Sequence, residues 1–122
     1  MVEAPITIQE MAEALLNRND LQLRQLVQSW LRSKPNATEA RRSTTQDQNT
    51  LVVSAALVEL LALRLNQKPP TWAETVGGLE QPFFVMKLAK RPGFTRDLCL
   101  REAPEPLKRR NIFTPPNFLN MV

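Results

Sequence analysis

Histidine and tyrosine are absent from this chain of 122 residues, cysteine occurs once and glycine three times. Without histidine there is no imidazole base, no Ser-His or Cys-His nucleophile pair, and no imidazole ligand for zinc or iron. Cys99 by itself supports neither an intramolecular disulfide nor a cysteine metal cluster; between Leu98 and Leu100 it reads as a small core residue. Two of the three glycines are adjacent, Gly77 and Gly78, which leaves no phosphate-cradling loop and no dinucleotide fingerprint. The remaining carboxylate pairs, Glu10 with Glu13 and Glu102 with Glu105, have the spacing of solvated helix faces. The expectation is a protein that is not an enzyme and uses no metal or cofactor. Long hydrophobic runs are missing too. The apolar stretch Leu51 to Leu65 falls short of the ~18 to 20 residues that span a bilayer, and no basic-then-apolar secretory signal opens the chain. A cytoplasmic protein without a membrane partner is expected.

What is present suits one folded domain. A hydrophobic content of 43% beside 23% charged residues is ordinary for a globular chain, and 122 residues suffice for one core but not two. Many Leu, Ala, Glu, Gln and Arg with so little Gly favour helices. The fold class read from the chain is all-α: a single domain, residues 1–122, built as a compact bundle of about five helices around a central buried helix near 50–65.

Thr7-Ile-Gln-Glu10 has the form of a capping box, with Ile6 and Met11 placed to staple it, and predicts a helix from Ile8 to about Asn17. Ile8, Met11, Ala12, Leu15 and Leu16 form its apolar stripe. Asn17 to Asp20 then supplies a turn and a new cap, and Leu23, Leu26, Val27, Trp30 and Leu31 make a second stripe ending near Lys34-Pro35. Such a pair is either a plain hairpin or a helix-turn-helix, with Arg24 and Arg32 as nucleic-acid contacts on the exposed face. From 35 to 49 the chain is almost wholly polar and reads as a mobile loop; Arg41 and Arg42 within it are further candidate nucleic-acid contacts. Between Thr50 and Leu65 only Ser54, Glu59 and Arg64 interrupt apolar residues, so this helix is buried on all sides, by its own chain or by a partner such as a second copy. Pro69-Pro70 ends it. A short helix from Trp72 to about Val76 capped by Thr71, one or two helical turns or a short strand over 83–89, an amphipathic helix from Phe94 to Glu102 with Phe94, Leu98 and Leu100 as its apolar residues, and a last helical turn from Glu105 to Arg110 follow.

Charge is uneven. Residues 87–122 carry eight Lys/Arg against three Asp/Glu, whereas residues 1–86 carry eight against nine. Ala103 to Leu119 sets Lys108, Arg109 and Arg110 among four prolines and the apolar Ile112, Phe113 and Phe118. Proline-stiffened pieces must lean on something else, so this segment is expected to be ordered, its apolar residues packed inward and its three cations outside. Arginine forks and aromatic anchors are common at protein interfaces, which makes Lys108, Arg109, Arg110, Phe113 and Phe118 the candidate partner-binding residues, facing an acidic surface.

Pro70-Thr-Trp-Ala-Glu, Gly78-Leu-Glu-Gln-Pro-Phe-Phe, Arg101-Glu-Ala-Pro-Glu-Pro-Leu-Lys-Arg-Arg-Asn-Ile-Phe and Pro115-Pro-Asn-Phe-Leu resemble a group of small uncharacterised bacterial proteins with the pattern PAW…PFF…EAPEPLRRRNIFxPPNFL. The resemblance covers about residues 69 to 119 and extends to the C-terminal part of antitoxin-like proteins. Longer relatives carry an N-terminal helix-turn-helix and are often encoded beside a nucleotidyltransferase-like protein. It implies a non-enzymatic protein-interaction module, an antitoxin-like component of a bacterial two-protein system, with a nucleotidyltransferase-like partner. The alternative is a DNA- or RNA-binding helical regulator.

Overall fold

The computed structural model describes residues 7–33, 36–42 and 44–119, and over these the protein is all-α. Six α-helices run in order: α1 Ile8–Leu16, α2 Asp20–Arg32, α3 Gln48–Arg64, α4 Thr71–Glu74, α5 Phe94–Glu102 and α6 Glu105–Lys108. Two short strands, β1 Phe83–Phe84 and β2 Ile112–Phe113, pair in parallel. The start of α1 follows from its cap, since the Glu10 amide donates to Thr7 Oγ1 at 3.1 Å. The Ile6 staple lies outside the described residues, as does the Lys34-Pro35 end expected for α2. At the other end of α1 Arg18 takes the left-handed conformation that glycine usually fills, with φ 57°, while the Asn19 and Arg18 amides close onto the Ala14 and Leu15 carbonyls.

Helix α3 is the axis of the core. Every residue from Thr50 to Ala62 is buried, and α1, α4, α6 and a 3₁₀ turn at Ala37–Glu39 pack around it. Its own chain therefore covers it, which removes the partner-covered alternative for that stretch. Burying each Leu or Val side chain is worth about 1.5–3 kcal/mol, so this all-round apolar helix anchors the domain.

The polar 35–49 stretch is not a free loop throughout, which corrects that expectation. The Ala37 amide donates to Gln67 Oε1 at 2.7 Å, Thr38 Oγ1 donates to the Lys68 carbonyl at 2.5 Å, and Trp72 Nε1 donates to the Ala40 carbonyl at 2.7 Å. These hydrogen bonds to neighbouring elements act together with the burial of Ala37 in the core to hold the stretch. Thr71 is the first residue of α4 rather than its cap, a place taken by Pro70.

The C-terminal segment lies along residues 78–85. The Leu79 amide donates to the Arg110 carbonyl, the Phe83 amide to the Asn111 carbonyl and the Val85 amide to the Phe113 carbonyl, at 3.0, 2.8 and 3.2 Å. Gly78 is required by this approach, because a Cβ there would stand 2.9 Å from the Arg110 Cα. Ile112 and Phe113 are buried and Phe118 is half-buried, the inward packing expected of them; the burial of Phe113 against Phe84 corrects its other reading, as a partner-binding residue. Phe84 and Phe113 stack with centroids 5.4 Å apart, beside Ala89, Cys99 and Ala103 in a second small core.

Candidate contact surface

Lys108, Arg109 and Arg110 are all expected outside, and the structure separates them. Arg110 is only 2% exposed. Its Nη2 donates to Glu59 Oε1 at 2.6 Å and to the Ala73 carbonyl at 2.8 Å, while Nη1 reaches Glu59 Oε2 at 3.1 Å and the Pro106 carbonyl at 3.0 Å. One guanidinium thus ties α3, α4 and α6 together, which corrects its assignment as a surface cation. Desolvating a cation is tolerable only against a paired, hydrogen-bonded anion, and Glu59 in the middle of α3 is that anion. Arg109 shares the same carboxylate from outside, with its side chain 49% exposed. Lys108 Nζ donates to the Arg101 carbonyl at 2.9 Å, where a cation complements the C-terminal end of α5. The signal for this arrangement was a lone acid within an otherwise apolar helix, which requires a counterion.

A second group of cations, three of them exposed, lies earlier, in 86–96. From residue 81 to 96 there is no Asp or Glu, whereas Lys87, Lys90, Arg91 and Arg96 fall in ten residues. Among the described residues the side chains of Lys87, Lys90 and Arg91 form no ion pair or hydrogen bond. Arg96 is half-buried, lies 4.8 Å from the Phe84 ring centroid and donates to the Lys90 carbonyl at 3.3 Å, bracing the segment from behind. Between the cations Phe94 is 77% exposed and Leu88 62%, with Met86 beside them in sequence. Phe94 was expected on the inner face of an amphipathic helix. It is instead the first residue of α5, before that helix meets the core; Leu98 is half-buried, Leu100 is exposed as well, and Cys99 and Ala103 are the residues that face inward. Burial raises the Cys99 thiol above its ordinary pKa, which leaves it a packing residue.

Arg18 joins this region to the N-terminal hairpin. Its Nη1 donates to the Phe84 carbonyl at 2.6 Å and the Val85 carbonyl at 3.1 Å, and its guanidinium stands 4.6 Å from the Phe83 ring centroid. These contacts explain why an arginine occupies a left-handed position that favours glycine. No family model matches the chain, and no curated protein or solved structure matches it.

Beside the segment a cleft of about 200 Å³ is lined by Leu23 and Arg24 of α2, by Val85 and Met86, and by Phe118 and Leu119, with Asp20, Pro115 and Asn117 completing the lining. A second opening, of about 480 Å³, is lined by Leu16, Gln48, Asn49, Leu79, Glu80, Gln81 and Phe83 among others. Among the described residues Glu80 is the titratable side chain lining the second, and Asp20 and Arg24 are those lining the first. Of the four arginines read as nucleic-acid contacts, Arg24 is exposed at the first cleft; Arg32, Arg41 and Arg42 are exposed elsewhere. Among the described residues no group of three His, Cys, Asp or Glu is placed to hold a metal ion, and no helix is long and apolar enough to cross a membrane.

Proposed function

We propose that the protein is a non-enzymatic interaction module, an antitoxin-like member of a two-protein system, and that it meets its partner through residues 86–96. The supporting observation is the exposure of Phe94 and Leu88 among unmatched cations. Large apolar side chains left in water beside charge have the composition of a recognition surface, in which an aromatic anchor fills a partner's pocket and cations at the rim steer an acidic face toward it. Arg109 adds a further cation that is only partly engaged by Glu59. The antitoxin-like part of the reading rests on the sequence resemblance across residues 69 to 119.

Affinity capture from the source cells tests this reading with the wild-type protein and a Leu88→Ser/Phe94→Ser variant. A partner recovered in near-equal amount with the wild type and lost with the variant is the expected result. The same proteins recovered by both would overturn the proposed surface. A second reading, a DNA- or RNA-binding helical regulator, draws on α2, whose outer face exposes Arg24, Gln25, Gln28 and Arg32 after a turn of three residues. It predicts duplex binding that weakens steeply with salt and is lost on changing Arg24 and Arg32 to alanine.

A further inference from the structure

Resting on the interaction reading, we infer that the partner presents an extended peptide segment in which an apolar side chain is flanked by carboxylates, and that this segment lies in the α2 cleft and runs onto the 87–94 surface. Met86 belongs to both features: it lines the cleft and begins the exposed basic stretch. Leu23, Val85 and Leu119 are the buried apolar residues of the cleft's lining, and about 200 Å³ is room for an inserted side chain rather than for a folded domain. Arg24 lines the cleft on α2, and the exposed Lys87, Lys90 and Arg91 follow Met86 along the chain, so a ligand that continues from the cleft past Met86 along this stretch meets cations; among the described lining residues Asp20 is the opposing charge. Leu88 and Phe94 then supply apolar contact beyond the cleft. A single-stranded nucleic acid would satisfy the cations and stack on Phe94, but it has no use for the exposed aliphatic Leu88 and Met86 or for an apolar cavity. An isologous contact with a second copy would bring the same cations face to face.

Selection of random dodecapeptides from a display library against the full-length protein tests this, with an oligouridine dodecamer as the competing probe. Selected peptides should carry Asp or Glu around a Leu, Ile, Phe or Trp. Their binding should shift amide resonances of residues 23–24, 85–94 and 117–119. A Lys87→Glu/Lys90→Glu/Arg91→Glu variant that keeps the wild-type amide spectrum should bind at least about tenfold more weakly, as should Arg24→Glu, whereas Arg32→Glu should bind as the wild type does. Peptides without acidic enrichment, or shifts confined to the Gln48 and Glu80 side, overturn the segment and its groove. The interaction reading survives that outcome if cellular capture still depends on Leu88 and Phe94. Oligouridine binding to the same face more tightly than any peptide overturns both.

Discussion

Residues 108–110 and residues 87–96 are both basic, acid-free stretches of the same C-terminal third, and the fold uses them in opposite ways. Behind the first lies Glu59, so Arg110 is drawn into the core, Arg109 leans over the same carboxylate and Lys108 closes the end of α5. Among the described residues no acid pairs with the second: Arg96 meets the Phe84 ring and a backbone carbonyl, and Lys87, Lys90 and Arg91 stay in water. The location of the opposing charge, not the density of cations, decides which stretch holds the fold together and which is free for a partner.

The largest effect should come from taking that opposing charge away. Glu59→Leu fits the apolar pattern of α3 better than glutamate does, yet it leaves Arg110 desolvated without an anion. Breaking one side of a buried pair typically costs about 3–5 kcal/mol, a large share of the stability of a domain this size. Urea unfolding followed by far-ultraviolet circular dichroism would measure it. A loss no greater than that of an ordinary surface substitution would show that Arg110 is not the tie among α3, α4 and α6. Gly78→Ala comes next: its methyl group meets the Arg110 backbone, and forcing the two strands of chain apart should cost about 1–3 kcal/mol in the same assay.

A smaller and pH-dependent effect is expected at the start of α3. Asp47 accepts from the Thr50 hydroxyl at 2.6 Å and the Thr50 amide at 3.3 Å. The Thr50 side-chain hydrogen bond, foremost, holds its carboxyl below the ordinary 3.8. Because the folded value lies below the unfolded one, this contribution is fully present above about pH 4 and fades as pH falls through the folded value. The difference in unfolding midpoint between the wild type and Asp47→Asn should therefore narrow below pH 4. A constant difference across that range would mean that the cap does not depend on the aspartate charge.

Much of this architecture was legible in the chain because its signals are local. Thr7 with Glu10, the stripes of α1 and α2, and the all-round apolar run of α3 each follow from the spacing of neighbouring residues. Cys99 was legible as a small core residue for the same reason. The misread parts depend on residues far apart in sequence. Arg110 looked like a surface cation because its anion lies 51 residues away, and the 36–40 stretch looked free because its anchors are Gln67, Lys68 and Trp72. Phe94 was placed inside because periodicity gives a helix's faces but not the residue at which the helix first touches the core. The absence of acid from 81 to 96 was visible in the sequence, and it marked the exposed patch better than the count of cations near the C-terminus did.

The smallest change in stability should follow the largest removal of charge. Lys87→Ser/Lys90→Ser/Arg91→Ser deletes three cations from a stretch in which none is paired among the described residues, so there is no ion pair to break and no buried group to strand. Surface substitutions of this kind usually lie within about 0.5 kcal/mol each, and relief of like-charge repulsion between neighbours acts in the stabilising direction. The urea midpoint should therefore match the wild type, and the difference should shrink further as salt screens the repulsion. A marked loss of stability would mean that these side chains are held by the fold as Arg110 is, and the contrast between the two basic stretches would disappear. An unchanged midpoint together with lost partner capture would assign their charge to recognition, since the fold would have no other use for it.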